Sequence, residues 1–168
     1  SPKSILNFPG MKQRTVILYT FSKKYAMTGW RIGASIGPES LIKHMARFNI
    51  NDESCTNHFI QHALASVLND SNDYGEGIIK KLIQRRDLCL KKLNSISDLD
   101  ISTPESTFYL FPNVSKVMRK KGYDDIEKFR VDALKNTGVS FCTREHFGSP
   151  HQNEEQKYIR LAYSGINR

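Results

Sequence analysis

Long apolar runs are absent from this chain of 168 residues, and none approaches the roughly 18 consecutive apolar residues that a membrane helix needs. Signal-peptide patterns and low-complexity tracts are absent as well. The apolar content of 39% and the aromatic content of 10% are typical of a globular domain. We therefore expect a globular cytoplasmic protein that makes no membrane contact.

Metal-ligating side chains are also scarce. Cys55, Cys89 and Cys142 form an odd, widely spaced set without metal-type pairing, so we expect reduced thiols in an intracellular protein. His58 and His62 have the i, i+4 spacing of a metal pair, but no third ligand with suitable spacing follows. We expect packing or surface roles for these histidines and no metal site.

Charge is unbalanced, since 25 basic and 17 acidic side chains give a formal net charge of +8. The basic excess is concentrated in 80–92 and 116–121. In the first segment basic residues alternate with Leu82, Ile83 and Leu88, as on the exposed face of an amphipathic helix. We favour that interpretation and expect no nucleic-acid partner. The alternative is a non-catalytic basic module that binds nucleic acid or another protein.

Apolar periodicity predicts a mixed α/β chain. The predicted elements are strands over 16–21, 32–36, 108–111, 139–143 and 158–163 and helices from 38, over 57–69 and over 74–93. One more helix should precede the strand at 139–143. Asp124 or Asp125 should cap its start, and Gly138 should end it.

The stretch TFSKKYAMTGWRIG, residues 20–33, places a Ser-Lys pair ahead of an arginine. A lysine amine held at a strand end can attack a carbonyl, and a serine hydroxyl with an arginine guanidinium can hold a phosphate. A pyridoxal-phosphate enzyme supplies these groups around the aldehyde and the phosphate of its cofactor. The sequence therefore predicts one site from Ser22, Lys23 and Arg31; an exposed lysine, a strand-end hydroxyl and a surface ion pair are the alternatives.

The pattern Ser-Lys-x-x-x-Met-x-Gly-x-Arg-x-Gly, on Ser22 to Gly33, resembles the lysine signature of the class I/II aminotransferases, which are fold-type-I pyridoxal-phosphate enzymes. The family's eight-residue spacing to Arg31 selects Lys23 and not Lys24. The resemblance implies that Lys23 forms the internal aldimine with pyridoxal 5′-phosphate and then acts as general base and acid. It also implies that Ser22 and Arg31 hold the cofactor phosphate.

A second arginine stands in Tyr158 to Tyr163, where alternation places Arg160 on the face opposite Ile159 and Leu161. By itself the pattern also fits a solvated arginine. The segment YIRLAYS resembles the aminotransferase segment whose arginine binds the α-carboxylate of the substrate. The resemblance therefore implies a substrate-binding role for Arg160, because two parallel N–H donors match two carboxylate oxygens.

The stretch PESTFYLF, residues 104–111, resembles the small-domain turn and strand of the family. Ser106 and Thr107 stand where the family often has Gly-Ala. Because glycine permits backbone angles that serine avoids, we expect a different turn, with hydroxyls near the substrate entrance.

The resemblance covers about residues 15–165 but only the second half of a typical aminotransferase. It implies the C-terminal part of the α/β PLP-dependent transferase fold. Residues 1–72 would end the large cofactor-binding domain, 73–97 would form a long connecting helix, and 98–168 would form a small, truncated α/β domain.

The family's groups that contact the cofactor ring lie upstream of the lysine and have no counterpart here. We expect the parent protein to be a homodimeric transaminase that acts on an amino acid and a 2-oxo acid, and the fragment alone to be inactive. A C–S lyase or synthase of the same fold type is the alternative.

Overall fold

The computed structural model describes residues 4–165 of the chain. These residues form two compact units: unit 1 extends to Lys80 and unit 2 begins at Lys81. The division falls inside the longest helix, so each unit contains one part of it. Within 4–165 no helix combines the length and the apolarity needed to cross a bilayer.

Unit 1 is built around a small antiparallel sheet. Its elements are β1 (Ile17–Thr20), α1 (Phe21–Lys24), β2 (Gly33–Ile36), α2 (Glu39–Asp52), α3 (His58–Asn69) and the start of α4 (Glu76–Leu93). In the sheet Thr20 pairs with Gly33 and Ile17 with Ile36. The predicted strands and helices are therefore present with shorter bounds.

The first strand ends one residue earlier than the sequence predicts, and this changes the setting of the lysines. Thr20 Oγ1 accepts a hydrogen bond from the backbone N–H of Ser22 at 3.2 Å and so caps a single helical turn. Phe21 belongs to that turn and not to the strand. Lys23 accordingly lies in the one-turn helix α1, and the expectation of a lysine at the strand end itself is wrong.

The core of unit 1 is small and is assembled from two helices, α1 and α3, and the loop before β2. It contains Phe21, Ile32, Ile60 and Leu64. The apolar side chains of α2 are only partly covered, because Phe48 is 76% exposed and no residue of this helix is buried. The described residues alone therefore do not cover the apolar surface of this unit.

Unit 2 contains the rest of α4 and a three-stranded antiparallel sheet. Its other elements are β3 (Tyr109–Leu110), α5 (Ser115–Lys120), α6 (Ile126–Thr137), β4 (Cys142–Thr143) and β5 (Ile159–Ala162). The strand order is β3–β5–β4, so β5 is central. Its buried residue Ile159 belongs to a core with Val114, Met118 and Ile126.

Helix α5 is missing from the predicted elements, where its residues appear only as a basic segment. Asn113 Oδ1 begins the helix by accepting hydrogen bonds from the backbone N–H and the hydroxyl of Ser115, at 3.0 and 2.7 Å. Val114 and Met118 are each 2% exposed. The i, i+4 spacing of this apolar pair is the sequence pattern from which helix α5 could have been predicted.

The ends of α6 agree with the prediction and resolve its open alternative. Asp125 Oδ1 accepts hydrogen bonds from the backbone N–H groups of Glu127 and Lys128 at 2.7 and 3.1 Å, so Asp125 is the N-cap residue. The helix ends at Gly138, whose φ of 71° is the left-handed conformation that glycine adopts without strain.

Replacing this cap should weaken unit 2. In Asp125→Ala the two N–H groups lose their acceptor, and we expect the free energy of unfolding to fall by about 1 kcal/mol in urea denaturation followed by circular dichroism. Asp124→Ala is the matched control and should change the same quantity by less than about 0.5 kcal/mol. Equal losses in both variants would contradict the assignment of the cap.

Candidate active site

The loop between β1 and β2 carries the lysine signature, and several of its signature positions have structural roles. A Cβ atom at position 33 would lie 2.9 Å from the backbone oxygen of Tyr19, so glycine is required there. Met27 packs against the core of unit 1. The backbone N–H of Phe21 donates to Ile32 O at 3.5 Å and helps to close the loop. These contacts hold the polar residues of the loop in a fixed frame.

Ser22 and Arg31 are brought together through Thr28. The hydroxyl of Thr28 donates to Ser22 O at 3.3 Å, and Arg31 Nη1 donates to Thr28 O at 3.1 Å. Ser22 is buried, whereas Arg31 is exposed. The sequence pattern leaves Thr28 as an unspecified position, because a bridge made by a backbone oxygen and a hydroxyl has no distinctive spacing.

Arg31 presents its charge without a counter-ion. No carboxylate pairs with it in the part of the chain that the structure describes, and its backbone adopts the left-handed conformation with φ 52°. Few non-glycine residues adopt this conformation, and it is a recurrent feature of functional loops. An exposed guanidinium without a carboxylate partner among the described residues suits an anion such as the phosphate of pyridoxal phosphate.

Lys24 is held by an acidic partner. Its Nζ atom lies 3.2 Å from Asp73 Oδ2, and its side chain is 35% exposed. The hydrogen bond with Asp73 is the main cause that raises the pKa of Lys24 above its usual range. The amine is therefore kept protonated and is a poor nucleophile.

Gly75 makes this ion pair possible. A Cβ atom at position 75 would lie 2.9 Å from Lys24 Cε and 3.0 Å from Lys24 Cγ, so the stem of the lysine packs directly over the glycine. The backbone N–H of Gly75 also donates to Asp73 Oδ1 at 2.9 Å. The hydrogen bond from Gly75 is the main cause that lowers the pKa of Asp73, and the hydrogen bond from Lys24 is the second cause. The carboxylate is thus fixed and charged.

Lys23 precedes Lys24 in the same turn of helix and is exposed. Successive residues of an α-helix point about 100° apart, so the two side chains leave α1 in different directions. The structure thereby distinguishes two lysines that are adjacent in sequence: one is committed to an ion pair with Asp73, and the other is not part of that pair.

A cleft of about 580 Å³ opens beside Arg31 in unit 1. Its lining includes Trp30, Asn49, Asn57 and Phe59. Lys23 and Ser22 are not among the described residues that line it. The loop therefore borders an open cleft on its arginine side.

Arg160 lies in unit 2, on the central strand β5, and unit 1 carries the other predicted site residues. Its Nη2 donates to Cys142 Sγ at 3.6 Å. No carboxylate pairs with it among residues 4–165, whereas the half-buried Arg130 and Arg144 of the same unit pair with glutamates at 2.7 and 3.1 Å. A half-buried guanidinium without a counter-ion is a candidate anion site.

The turn before β3 places its unusual backbone angle at Thr107 and not at Ser106. Thr107 has φ 70°, a conformation that is rare for a β-branched residue. Two bonds support it: Thr107 Oγ1 accepts from the backbone N–H of Tyr109 at 3.1 Å, and Thr107 O accepts from the hydroxyl of Tyr163 at 2.9 Å. The hydroxyl of Thr107 thus stabilises the turn locally.

His58 and His62 meet on α3, with their Nε2 atoms 3.2 Å apart. Over the described residues no group of three or more His, Cys, Asp and Glu side chains is placed to hold a metal ion. The pair therefore has no third ligand here.

The fold and the lysine loop agree with the class that the resemblance implies, the C-terminal part of an α/β pyridoxal-phosphate transferase. A family comparison agrees, because the model of the aminotransferase class I and II family matches residues 3–168. The chain belongs to this family, whose members depend on pyridoxal phosphate.

Named relatives support the same assignment. The chain is 31% identical over 164 residues to an asparagine–oxo-acid transaminase of Streptococcus mutans serotype c and covers 98% of itself and 40% of that protein. It is 35% identical over 162 residues to an aspartate aminotransferase of Rhizobium meliloti, with 93% of the chain and 38% of the relative covered.

A solved structure shows the fold. The aromatic aminotransferase of Pyrococcus horikoshii OT3 superposes with a TM-score of 0.83 at 33% identity, over 97% of this chain and 42% of that one. The chain therefore spans about two fifths of the length of the relatives that it matches.

The ion pair beside the loop can be tested by the pH dependence of stability. The folded-state pKa of Asp73 is lowered, so its stabilising contribution is present at neutral pH and is lost as the pH falls through that value. Asp73→Asn should lower the free energy of unfolding at pH 7, and the difference from the unmodified protein should vanish in acid. The measurement is urea denaturation at several pH values.

Asp52→Asn is the matched control, since Asp52 is an exposed carboxylate at the end of α2. It should leave the pH profile close to that of the unmodified protein. An Asp73→Asn profile that runs parallel to the unmodified one down to acid pH would contradict the role of this ion pair.

Proposed function

We propose that the whole protein carrying this chain is a pyridoxal-phosphate aminotransferase that exchanges an amino group between an amino acid and a 2-oxo acid. The observation that carries the assignment of its nucleophile is the ion pair between Lys24 and Asp73. Because Lys24 is held in this pair, the observation favours Lys23, the lysine with the family spacing to Arg31.

Lys23 has two tasks in this proposal. Its Nζ atom would hold the cofactor through the aldehyde carbon, with release of water, and the same amine would take up the proton that leaves the substrate α-carbon. When bound, the cofactor supplies a conjugated ring that withdraws electrons from that carbon. The ion pair of Lys24 keeps a second, competing amine protonated beside this site.

Ser22 and Arg31 hold the cofactor phosphate. Arg31 contributes a fixed positive charge, and its bond to Thr28 O limits the rotation of the guanidinium. Thr28 also bonds Ser22 O, so the serine and the arginine share one support. We expect a phosphate to find two prepared donors here, with little loss of side-chain freedom.

Arg160 binds the α-carboxylate of the substrate. The absence of a carboxylate partner among the described residues supports this role, because a half-buried guanidinium is best compensated by an anion. Arg130 and Arg144 of the same unit are also half-buried, and each of them pairs with a glutamate.

The organisation of the whole protein follows the family pattern in this proposal. Residues 1–72 end the cofactor domain, 73–97 form the connecting helix and 98–168 belong to the small domain. We place the protein in the cytoplasm, which its three free cysteines support, and we propose a homodimer as in other members of the family.

The relatives carry the names of aspartate, asparagine–oxo-acid and aromatic-amino-acid transaminases. The amino donors to assay are therefore L-aspartate, L-asparagine and L-phenylalanine, with 2-oxoglutarate as the amino acceptor. Formation of glutamate together with the matching 2-oxo acid is the expected product pattern. Release of ammonia without glutamate would indicate a lyase instead.

The nucleophile is tested by covalent trapping. Incubation with pyridoxal phosphate followed by borohydride should add the cofactor mass to the peptide that contains Lys23. Lys23→Ala should abolish this adduct, because the amine that attacks the aldehyde is lost. Lys24→Ala is the matched control and should retain it. The assignment is wrong if the adduct survives in Lys23→Ala or maps to Lys24 in peptide mass mapping.

A further inference from the structure

The surroundings of Arg160 follow from the register of the second sheet. Cys142 stands directly opposite Arg160, and Tyr109 stands opposite Ala162. Since residues two apart on a strand project on the same side, Arg160 and Ala162 share a face of the sheet. Tyr109 is therefore a diagonal neighbour of Arg160, at a separation that an aromatic ring and a long side chain can span.

Two aromatic rings contact the guanidinium. Arg160 Cζ lies 4.3 Å from the centroid of the Tyr109 ring and 4.4 Å from that of Phe147. Both distances are well within the range of a cation–π interaction. A ring placed over a guanidinium covers its face and leaves the N–H groups at its edge.

The turn that carries Phe147 is fastened to α6. Phe147 ends a short 3₁₀ turn, Arg144–Phe147, which begins after the fully buried Thr143. Thr143 Oγ1 lies 2.6 Å from Glu127 Oε1 and 2.7 Å from His146 Nδ1. The bond from Thr143 is the main cause that lowers the pKa of Glu127, so the acceptor is charged. These bonds restrict where Phe147 can lie.

We propose that Tyr109 and Phe147 are positioning residues, which hold the Arg160 guanidinium so that its N–H edge faces a substrate carboxylate. The proposal rests on the role of Arg160 in the proposed function. A free arginine side chain would lose rotamer freedom when it binds its anion, and the two rings impose that loss before binding.

Cys142 contacts the N–H edge of Arg160, where the substrate carboxylate would bind in this proposal. A thiol sulfur is a weak acceptor, and its contact with Arg160 Nη2 at 3.6 Å is readily replaced by a carboxylate oxygen. Because the sulfur lies at the N–H edge, its chemical reactivity reports whether that edge is occupied.

The first experiment measures kcat and KM in the protein carrying this chain, with pyridoxal phosphate and the best of the three amino donors. Phe147→Leu and Tyr109→Leu should each raise the KM for the donor about fivefold, the size expected for one cation–π contact, and change kcat less than about twofold. Phe147→Tyr and Tyr109→Phe keep the rings and should restore KM.

Phe111→Leu is the matched control, because Phe111 stacks on Tyr158 at 5.2 Å and not on the arginine. It should leave both constants unchanged. If KM is raised in Arg160→Gln but unchanged in both leucine variants, the positioning roles of Tyr109 and Phe147 are overturned. The carboxylate-binding role of Arg160 then still stands. An unchanged KM in Arg160→Gln would overturn that role as well.

A second measurement does not depend on catalysis. Succinate should slow the alkylation of Cys142 by iodoacetamide, and neutral succinamide should not, when each cysteine is followed by peptide mass mapping. Cys89 does not line the cleft beside Arg31 and serves as the internal control. In Phe147→Leu about five times more succinate should be needed for equal protection. Equal protection at the same concentration in both proteins would contradict the proposal.

Discussion

The ion pair between Lys24 and Asp73 is the interaction on which the interpretation of the lysine loop depends. It joins the turn after β1 to the segment before α4, and it packs the lysine stem over Gly75. The hydrogen bond with Asp73 also raises the pKa of the Lys24 amine above its usual range. Two residues with the same side chain thereby differ in their surroundings: Lys24 is paired with Asp73, and Lys23 is the residue to which we assign the covalent chemistry in the proposed function.

Arg31 and Arg160 contrast with Lys24 in the groups that hold them. Arg31 and Arg160 have no carboxylate partner among the described residues, while Arg130 and Arg144 are neutralised by glutamates. Both unpaired guanidiniums are instead held by uncharged groups, a backbone oxygen at Arg31 and aromatic rings at Arg160. Uncharged supports fix the position of a cation without cancelling its charge, which suits residues that must bind anions.

Much of this arrangement is present in sequence patterns of short range. The alternation in β5 predicts that Arg160 lies on the face opposite Ile159, and Gly138 marks the end of α6, because each depends on neighbours within one element. Contacts between distant segments leave no such pattern. Asp73, Tyr109 and Phe147 are ordinary residues in sequence, and only strand register or loop closure gives them their partners. Strands of two residues, such as β3 and β4, are too short to show any alternation.

The most direct test of the central claim compares how fast each amine reacts. Limited acetylation at pH 9, followed by peptide mass mapping, gives separate rates for Lys23 and Lys24. In Asp73→Asn the rate at Lys24 should rise, because its amine is no longer held protonated, and the rate at Lys23 should stay the same. A Lys24 rate that is equal in the two proteins would contradict the account.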